Sequence, residues 1–166
     1  MKLMSNIWEQ IGLDLFGDAP GDNFGFTGIS LSKDGTILAV GAQGNDDNGI
    51  DSGHVRIIEN INNTWTQIGS DIVGEYAYDQ SGVSVDLSDD GKIVAIGAWH
   101  NDDSLNNLPG YERIVIRNGE QVDDYYPNGQ VRVYEYKNND WTSIGNINGD
   151  STDEWSGHSV SLSSDG

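Results

Sequence analysis

Acidic residues recur in pairs whose members stand four residues apart and could bind a cation. Three pairs occupy matching positions of a sequence repeat: Asp18 and Asp22, Glu75 and Asp79, and Asp150 and Glu154. Carboxylate oxygens are preferred ligands of Ca²⁺, so a calcium site in these loops is one expectation. Aspartate side chains also accept hydrogen bonds from backbone N–H groups in turns, and this alternative stays open.

A second acidic segment covers residues 45–51 and reads Asn-Asp-Asp-Asn-Gly-Ile-Asp. Its oxygen-bearing side chains surround a glycine suited to a sharp turn, so Asp46, Asn48 and Asp51 are predicted calcium ligands. The full EF-hand pattern requires a glutamate six residues after the glycine, and Val55 stands there instead. A turn built by Asn and Asp side chains is therefore the alternative interpretation.

Tryptophans fall into two groups. Trp8, Trp65 and Trp141 share one position of the repeat and are expected to pack in the core. Trp99 and Trp155 have no aromatic counterpart in the aligned repeats, and each could stack on a sugar or a peptide. Exposed aromatic residues favour protein interfaces, so the predicted ligand-binding residues are Trp99, Tyr111, Tyr125 and Tyr126.

No complete catalytic site emerges from the sequence. The three histidines, His54, His100 and His158, fall at different repeat positions and share no role. A glycosidase needs one pair of facing carboxylates, whereas here the carboxylates are equivalent in every repeat. The absence of cysteine excludes thiol catalysis, disulfides and Cys-ligated zinc. The chain is therefore predicted not to be an enzyme, with a glycan-active enzyme as the weaker alternative.

The loops are positioned by internal repeats. Trp8-Glu-Gln-Ile-Gly12 recurs at 65–69 and 141–145, and the segment 31–42 recurs at 87–98. Each repeat contains four short runs of alternating polarity, typical of strands. Those of the second repeat are Val83–Leu87, Ile93–Ala98, Val131–Tyr136 and Trp141–Ile144. An extra residue in the first repeat predicts a β-bulge near Gly28.

Four antiparallel strands per repeat predict an all-β fold of the β-propeller type, with about two blades and partial blades at both ends. Residues 1–12 are expected to form the last strand of a preceding blade, and residues 13–69 the first blade. Residues 70–145 are the expected second blade, with an insertion at about 106–127, and residues 146–166 begin a third. Asn118-Gly119 within the insertion predicts a β-hairpin.

The repeats resemble the FG-GAP family, which builds the propeller of integrin α-subunits. The resemblance is carried by Phe24-Gly25, by Val40-Gly41-Ala42 and Ile96-Gly97-Ala98, and by the Gly-x-Val-Arg strands. It implies a propeller, an extracellular or cell-surface location, and adhesion or ligand binding. Many members carry a calcium loop between their first two strands, but that loop is reduced here to Ser-x-Asp-Gly at 32–35 and 88–91, too short to surround calcium.

The charge of the chain restricts its partners. Eight basic and 27 acidic residues give a net charge of −19, which disfavours nucleic acid and anionic membranes. Residues 1–10 lack the apolar run of a signal peptide, and no stretch is long and apolar enough to insert into a membrane. The prediction is a non-catalytic binding or adhesion module with a protein or glycan ligand. The alternative is a structural, self-assembling β-repeat, either a homo-oligomer or part of a longer propeller chain.

Overall fold

The computed structural model describes residues 9–101, 114–117, 120–123, 128–151 and 154–166. These residues form eleven β-strands and no helix, which confirms the all-β prediction. The strands are β1 (Ile29–Leu31), β2 (Ile37–Ala42), β3 (His54–Ile61), β4 (Thr64–Gln67), β5 (Ile72–Val73), β6 (Ser84–Leu87), β7 (Ile93–Ala98), β8 (Ile114–Arg117), β9 (Glu120–Asp123), β10 (Gln130–Lys137) and β11 (Asp140–Asn148).

The first repeat forms an antiparallel sheet in the order β1-β2-β3-β4, which we call unit one. The short strand β5 also joins this sheet, because Ile72 and Val73 pair with Val55 and His54 of β3. The chain leaves the ladder between β4 and β5, so one long edge strand is divided into two. Unit one therefore extends past residue 69, the boundary expected from the sequence.

The second repeat forms a four-stranded antiparallel sheet in the order β11-β10-β7-β6, which we call unit two. Its four strands confirm those predicted from the alternating runs. The edge strand β11 is continuous to Asn148, with a register shift opposite Val133 and Tyr134. The insertion contains β8 and β9, which pair with Arg117 opposite Glu120, so the predicted hairpin is confirmed.

The two units stack on each other, and the core lies between them. Ala39, Val55 and Ile57 of unit one pack with a cluster from unit two, comprising Val85, Leu87, Val94, Ile96 and Trp141. β2 and β7 are apolar along most of their length because both lie inside their sheets. A Cβ at Gly41 would collide with the carbonyl oxygen of Gly82, so the stacking requires glycine there.

The same contacts recur from one repeat to the next. Trp65 Nε1 donates to the Ile11 carbonyl at 3.1 Å, and Trp141 Nε1 donates to the Ile68 carbonyl at 3.0 Å. In the same way, Leu87 N donates to Ser30 Oγ, and Leu162 N donates to Asp86 Oδ2. The residues around Ile11 and Leu162 therefore take the places of neighbouring units, although residues 9–13 and 158–162 lie in no strand ladder.

The extra residue of the first repeat lies where the sequence placed it. Gly41 accepts a hydrogen bond from Gly25 N and donates one to the Gly28 carbonyl. In unit two, the matching Gly97 accepts from Gly82 N and pairs with Ser84. The two partners of Gly41, Gly25 and Gly28, are three positions apart, whereas the two partners of Gly97, Gly82 and Ser84, are two positions apart. The extra residue forms a bulge before β1, as predicted.

Candidate functional site

The candidate residues gather at one edge of the two sheets. In unit one, this edge contains the end of β2, the start of β3 and the loop that precedes β1. In unit two, it contains the end of β7, the start of β10 and the loop that precedes β6. We call this the loop edge. The opposite hairpin edge carries the tight turns 32–36 and 88–92. The loop edges of the two units face the same side, since Tyr78 N donates to the Ile50 carbonyl.

The second member of each predicted calcium pair holds its own loop together. Asp22 Oδ2 accepts from Ala19 N at 3.0 Å, and Asn45 Nδ2 also donates to it. Asp79 Oδ2 accepts from the backbone N–H groups of Glu75 and Tyr76 at 3.1 and 2.9 Å. Both carboxylates are buried, so their atoms serve the loop rather than solvent.

Burial has an electrostatic effect on Asp79. Removal from water disfavours its charged form and raises its pKa to about 6, although hydrogen bonds from Tyr76 N and Asn101 Nδ2 act in the opposite direction. Glu154, at the same position of the third repeat, is exposed and accepts from Asp150 N at 2.8 Å and Ser151 Oγ at 2.6 Å. These two hydrogen bonds lower the pKa of Glu154.

The segment 45–51 folds as a turn stabilised by its own side chains. Asp46 Oδ1 accepts from Asp51 N at 2.8 Å, and Asn45 Oδ1 accepts from Asp47 N at 2.9 Å. The amide of Asn48 donates to the carbonyls of Gly74 and Glu75 in unit two. The oxygen-bearing side chains of Asp46 and Asn48 thus have roles within the loop and between the units, as the turn interpretation requires.

A different set of acidic residues converges in unit one, which we call the acidic–arginine cluster: Asp18, Asp47, His54, Arg56 and Asp71. Single ligand atoms of its three carboxylates and His54 lie within 4.8 Å of one another, a spacing that a metal ion could bridge. Arg56 already binds two of the carboxylates. Its Nε and Nη2 donate to Asp71 at 3.0 and 2.8 Å, and Nη2 donates to Asp18 at 2.7 Å.

The guanidinium group competes with a metal ion for these oxygens. Arg56 lowers the pKa of Asp18 chiefly through its hydrogen bond, and Asp71 raises the pKa of Arg56. His54 is fully buried with Nδ1 3.4 Å from Asp47 Oδ2, and its Nε2 has no hydrogen-bond partner. The cluster is thus an ion-pair network that binds the loop before β1 to the start of β3.

Unit two carries aromatic rings at its loop edge instead. Trp99, which directly follows β7, stacks on His100 with ring centroids 4.8 Å apart. It contacts Trp155 edge to face at 5.9 Å and lies 5.0 Å from the ring of His158. Trp99 Nε1 donates to Gln80 Oε1 at 2.6 Å, which fixes the orientation of the indole. We call the four rings of Trp99, His100, Trp155 and His158 the aromatic surface; the first two belong to unit two, and the last two to the start of the third repeat, which packs against it.

Trp155 is exposed and has an unusual backbone conformation. Half of its surface is exposed. Its φ of +51° lies in the left-handed region, which a bulky L-residue rarely adopts. The matching residues Asn23 and Gln80 have φ of +57° and +53°, so the repeat imposes this conformation on whichever residue stands there. What distinguishes the third repeat is therefore the exposed indole ring at this position and not the backbone conformation.

Burial partly desolvates His100 and lowers the pKa of its imidazole. Trp99 was predicted to bind ligand and lies at the centre of the aromatic surface. The other three predicted residues, Tyr111, Tyr125 and Tyr126, lie outside the described residues. The sequence did not predict that Asp47, His54 and Asp71 come together. The one available signal was Arg56, whose position recurs as an arginine in the Gly-x-Val-Arg strands.

In comparisons with known proteins, the chain matches no family model and no curated protein. The FG-GAP resemblance therefore rests on the short segments quoted above. Among the described residues, no helix has the length and apolar character needed to span a bilayer.

Proposed function

We propose that the chain is a non-catalytic binding module on a β-propeller-type scaffold, with its ligand docked on the aromatic surface of unit two. The observation that carries this proposal is the contact of Trp99 with Trp155 and two histidine rings at the loop edge. Exposed aromatic rings on loops held by a rigid sheet are a common basis of recognition. Unit one has Gln43 and Gly44 where unit two has Trp99 and His100, and Asn23 and Gln80 stand where the third repeat has Trp155, so the surface does not recur at the loop edge of unit one.

The scaffold part of the proposal is supported by the stacking of units. Each repeat contacts the next through the same tryptophan-to-carbonyl bond and the same glycine approach, as expected for blades related by a constant rotation. Core positions are then fixed by stacking, and the loops are free to differ. An FG-GAP-like adhesion role outside the cell is the biological setting that the resemblance suggests.

A binding function is favoured over catalysis by the use of the carboxylates. Asp22 and Asp79 are buried in loop hydrogen bonds, and Asp18 and Asp71 are paired with Arg56. General acid–base work on a glycan requires a carboxyl pair that faces a substrate. Calcium in the loops remains a proposal, and its test is the melting temperature in millimolar calcium against chelator. A rise of several degrees would support it, and an unchanged value would exclude useful affinity.

The binding proposal is tested by probing the purified chain on glycan and peptide arrays. The expected result is a ligand whose retention falls about tenfold or more in Trp155→Asn, which keeps the net charge and supplies the residue of unit one. The matched control is Ile61→Asn, an exposed apolar residue beside the turn at the hairpin edge, which should retain the ligand. If no ligand depends on Trp155, the proposal is wrong.

A second candidate is a structural repeat that stacks with further units. Ile29 and Leu31 of β1 are 55% and 54% exposed, whereas the matching Val85 and Leu87 of unit two are 8% and 7% exposed against unit one. Gly145, which matches the tryptophan-contacting Gly12 and Gly69, has no atom near its Cβ position. Sedimentation velocity tests this candidate: concentration-dependent mass abolished by Ile29→Asp supports it, and a monomer at all concentrations contradicts it.

A further inference from the structure

The described lysines are confined to one edge of the sheets, where the carboxylates of Asp89 and Asp90 stand beside them. Among the residues whose side chains the structure describes, the three lysines lie toward the hairpin edge: Lys33 and Lys92 in its tight turns, and Lys137 at the end of β10. Lys33 is there paired with Asp89. The loop edge holds acidic side chains from three loops, so within the described part of the chain its field is negative.

The two arginines whose side chains the structure describes, Arg56 and Arg132, do not offset this field for a ligand. Arg56 is committed to Asp18 and Asp71. Arg132 is buried, and it donates to the Val73 carbonyl at 3.1 Å and to Ser81 Oγ at 2.6 Å. Neither guanidinium is left to receive an anionic ligand. Among the side chains that the structure describes, an acidic or phosphorylated partner would meet repulsion at this edge without a compensating cation.

The aromatic surface supplies the complementary feature for a cation. An indole ring is the best aromatic partner for an ammonium or guanidinium group, which binds over the ring face. Trp155 is half exposed, and the exposed carboxylate of Glu154 directly precedes it in the chain. The oxygens of Glu154 that bind Ser151 and Asp150 retain further acceptor capacity.

We propose that the aromatic surface docks a basic peptide segment, with a Lys or Arg side chain over the Trp155 ring and the carboxylates of the loop edge around it. This inference rests on the proposed binding function and names its ligand class. The Trp99 and Trp155 rings touch each other, so the cation lies on the open side of Trp155 and not between two rings. Guanidinium groups suit this position because they stack flat on aromatic faces.

The test is a titration of the full chain with a synthetic hexa-arginine peptide at 150 mM salt, followed by tryptophan fluorescence. Hexaglutamate and maltohexaose are the parallel probes. We expect saturable binding of hexa-arginine, no binding of hexaglutamate, and affinity that weakens with added salt. Trp155→Asn should weaken hexa-arginine binding about tenfold, because the substitution removes the ring and leaves the net charge unchanged. Ile61→Asn should bind like the parent chain.

The alternatives give different results. If Trp155→Asn binds hexa-arginine as tightly as the parent, the attraction is diffuse charge alone and the inference is wrong. If maltohexaose binds through Trp155 and hexa-arginine does not, the inference is wrong but the binding function stands. If binding of the array ligands and of all three probes is independent of Trp155, both the binding function and the basic-peptide inference are wrong. Circular dichroism of each variant separates lost binding from lost folding.

Discussion

The loop edges of units one and two are built on the same strands but end in different chemistry. In unit one, Arg56 at the loop end of β3 meets Asp71, the residue before β5. In unit two, the matching Arg132 pairs in register with Asn146, which carries no charge. Arg132 instead donates to the Val73 carbonyl of β5 and to the Ser81 hydroxyl of the loop before β6. The carboxylate of Asp71 thus places Arg56 in an ion-pair network within unit one. Arg132, which lacks such a partner, links unit two to β5 of unit one.

The comparison extends to the surfaces that the two units present. At the loop edge of unit one, Arg56 is paired with Asp18 and Asp71. At the loop edge of unit two, the ring of Trp99 contacts that of Trp155, which remains half exposed to a ligand. Repetition thus fixes the scaffold, and differences at a few loop positions create a site. Substitutions in the shared scaffold, or at the loop positions where the units differ, test this comparison.

The largest effect is expected from the shared glycine contact between units. In Gly41→Ala, the new Cβ meets the backbone of Gly82, which cannot rotate away, so unfolding free energy should fall by about 3 kcal/mol. Gly145→Ala is the control, because its Cβ position is empty and its φ is not in the left-handed region. Urea denaturation measures both, and equal losses would show that the units are not stacked in this way.

The buried carboxylate of unit two should make stability depend on pH. The pKa of Asp79 in the folded chain is raised to about 6. Ionisation of this buried carboxyl therefore lowers the free energy of unfolding, with no loss below about pH 4 and a growing loss as the pH rises through 6. The parent chain should lose about 3 kcal/mol relative to Asp79→Asn across this window. Asp34 of the hairpin edge is the contrast, since hydrogen bonds from Thr36 lower its pKa and its stabilisation is lost as the pH falls.

Urea denaturation of the parent chain, Asp79→Asn and Asp34→Asn at each pH gives both curves. A flat difference between the parent chain and Asp79→Asn from pH 4 to 7 would contradict the account of this buried carboxylate.

The ion-pair difference between the units should appear as a difference in coupling energy. A double-mutant cycle of Arg56→Met with Asp71→Asn is expected to give about 1–2 kcal/mol, because the pair has two charge-assisted hydrogen bonds and is only partly exposed. A cycle of Arg132→Met with Asn146→Ala should give less than about 0.5 kcal/mol. Similar couplings in both units would remove the contrast on which the comparison rests.

The smallest effect concerns the strained ring. Trp155→Asn places at this position the residue that unit one has at Asn23, which tolerates the left-handed region better. Stability should therefore stay the same or rise by about 0.5–1 kcal/mol while ligand binding is lost. Thermal unfolding together with the array assay measures both. A clear loss of stability would mean that Trp155 serves packing and not recognition.

Much of the scaffold could be predicted because it rests on local patterns. The alternation in 93–98, the Asn118-Gly119 signal and the extra residue near Gly28 each specify geometry within a few residues. The division of one edge strand into β4 and β5 was missed, because Ile72-Val73 is too short to read as a strand. The gathering of Trp99 with Trp155 and His158 was missed as well, since it joins residues of two repeats that no periodicity connects.

The acidic residues were read correctly as a repeated feature and assigned a calcium role that stays a prediction. Sequence shows that carboxylates recur, but it does not show which N–H groups lie within reach of Asp22 or Asp79. The cluster around Arg56 escaped for a related reason. Its members come from four separated segments, and only pairing of β3 with β5 brings Asp71 beside Arg56.

The central claim is that ligand binds on the aromatic surface of unit two. It is tested most directly by fluorine NMR of the chain labelled with 5-fluorotryptophan, titrated with a ligand retained on the arrays and assigned with single Trp→Phe variants. The account predicts that the Trp99 and Trp155 resonances move with saturation while those of Trp65 and Trp141 stay in place. Larger movement at Trp65 or Trp141, or none at Trp155, would contradict it.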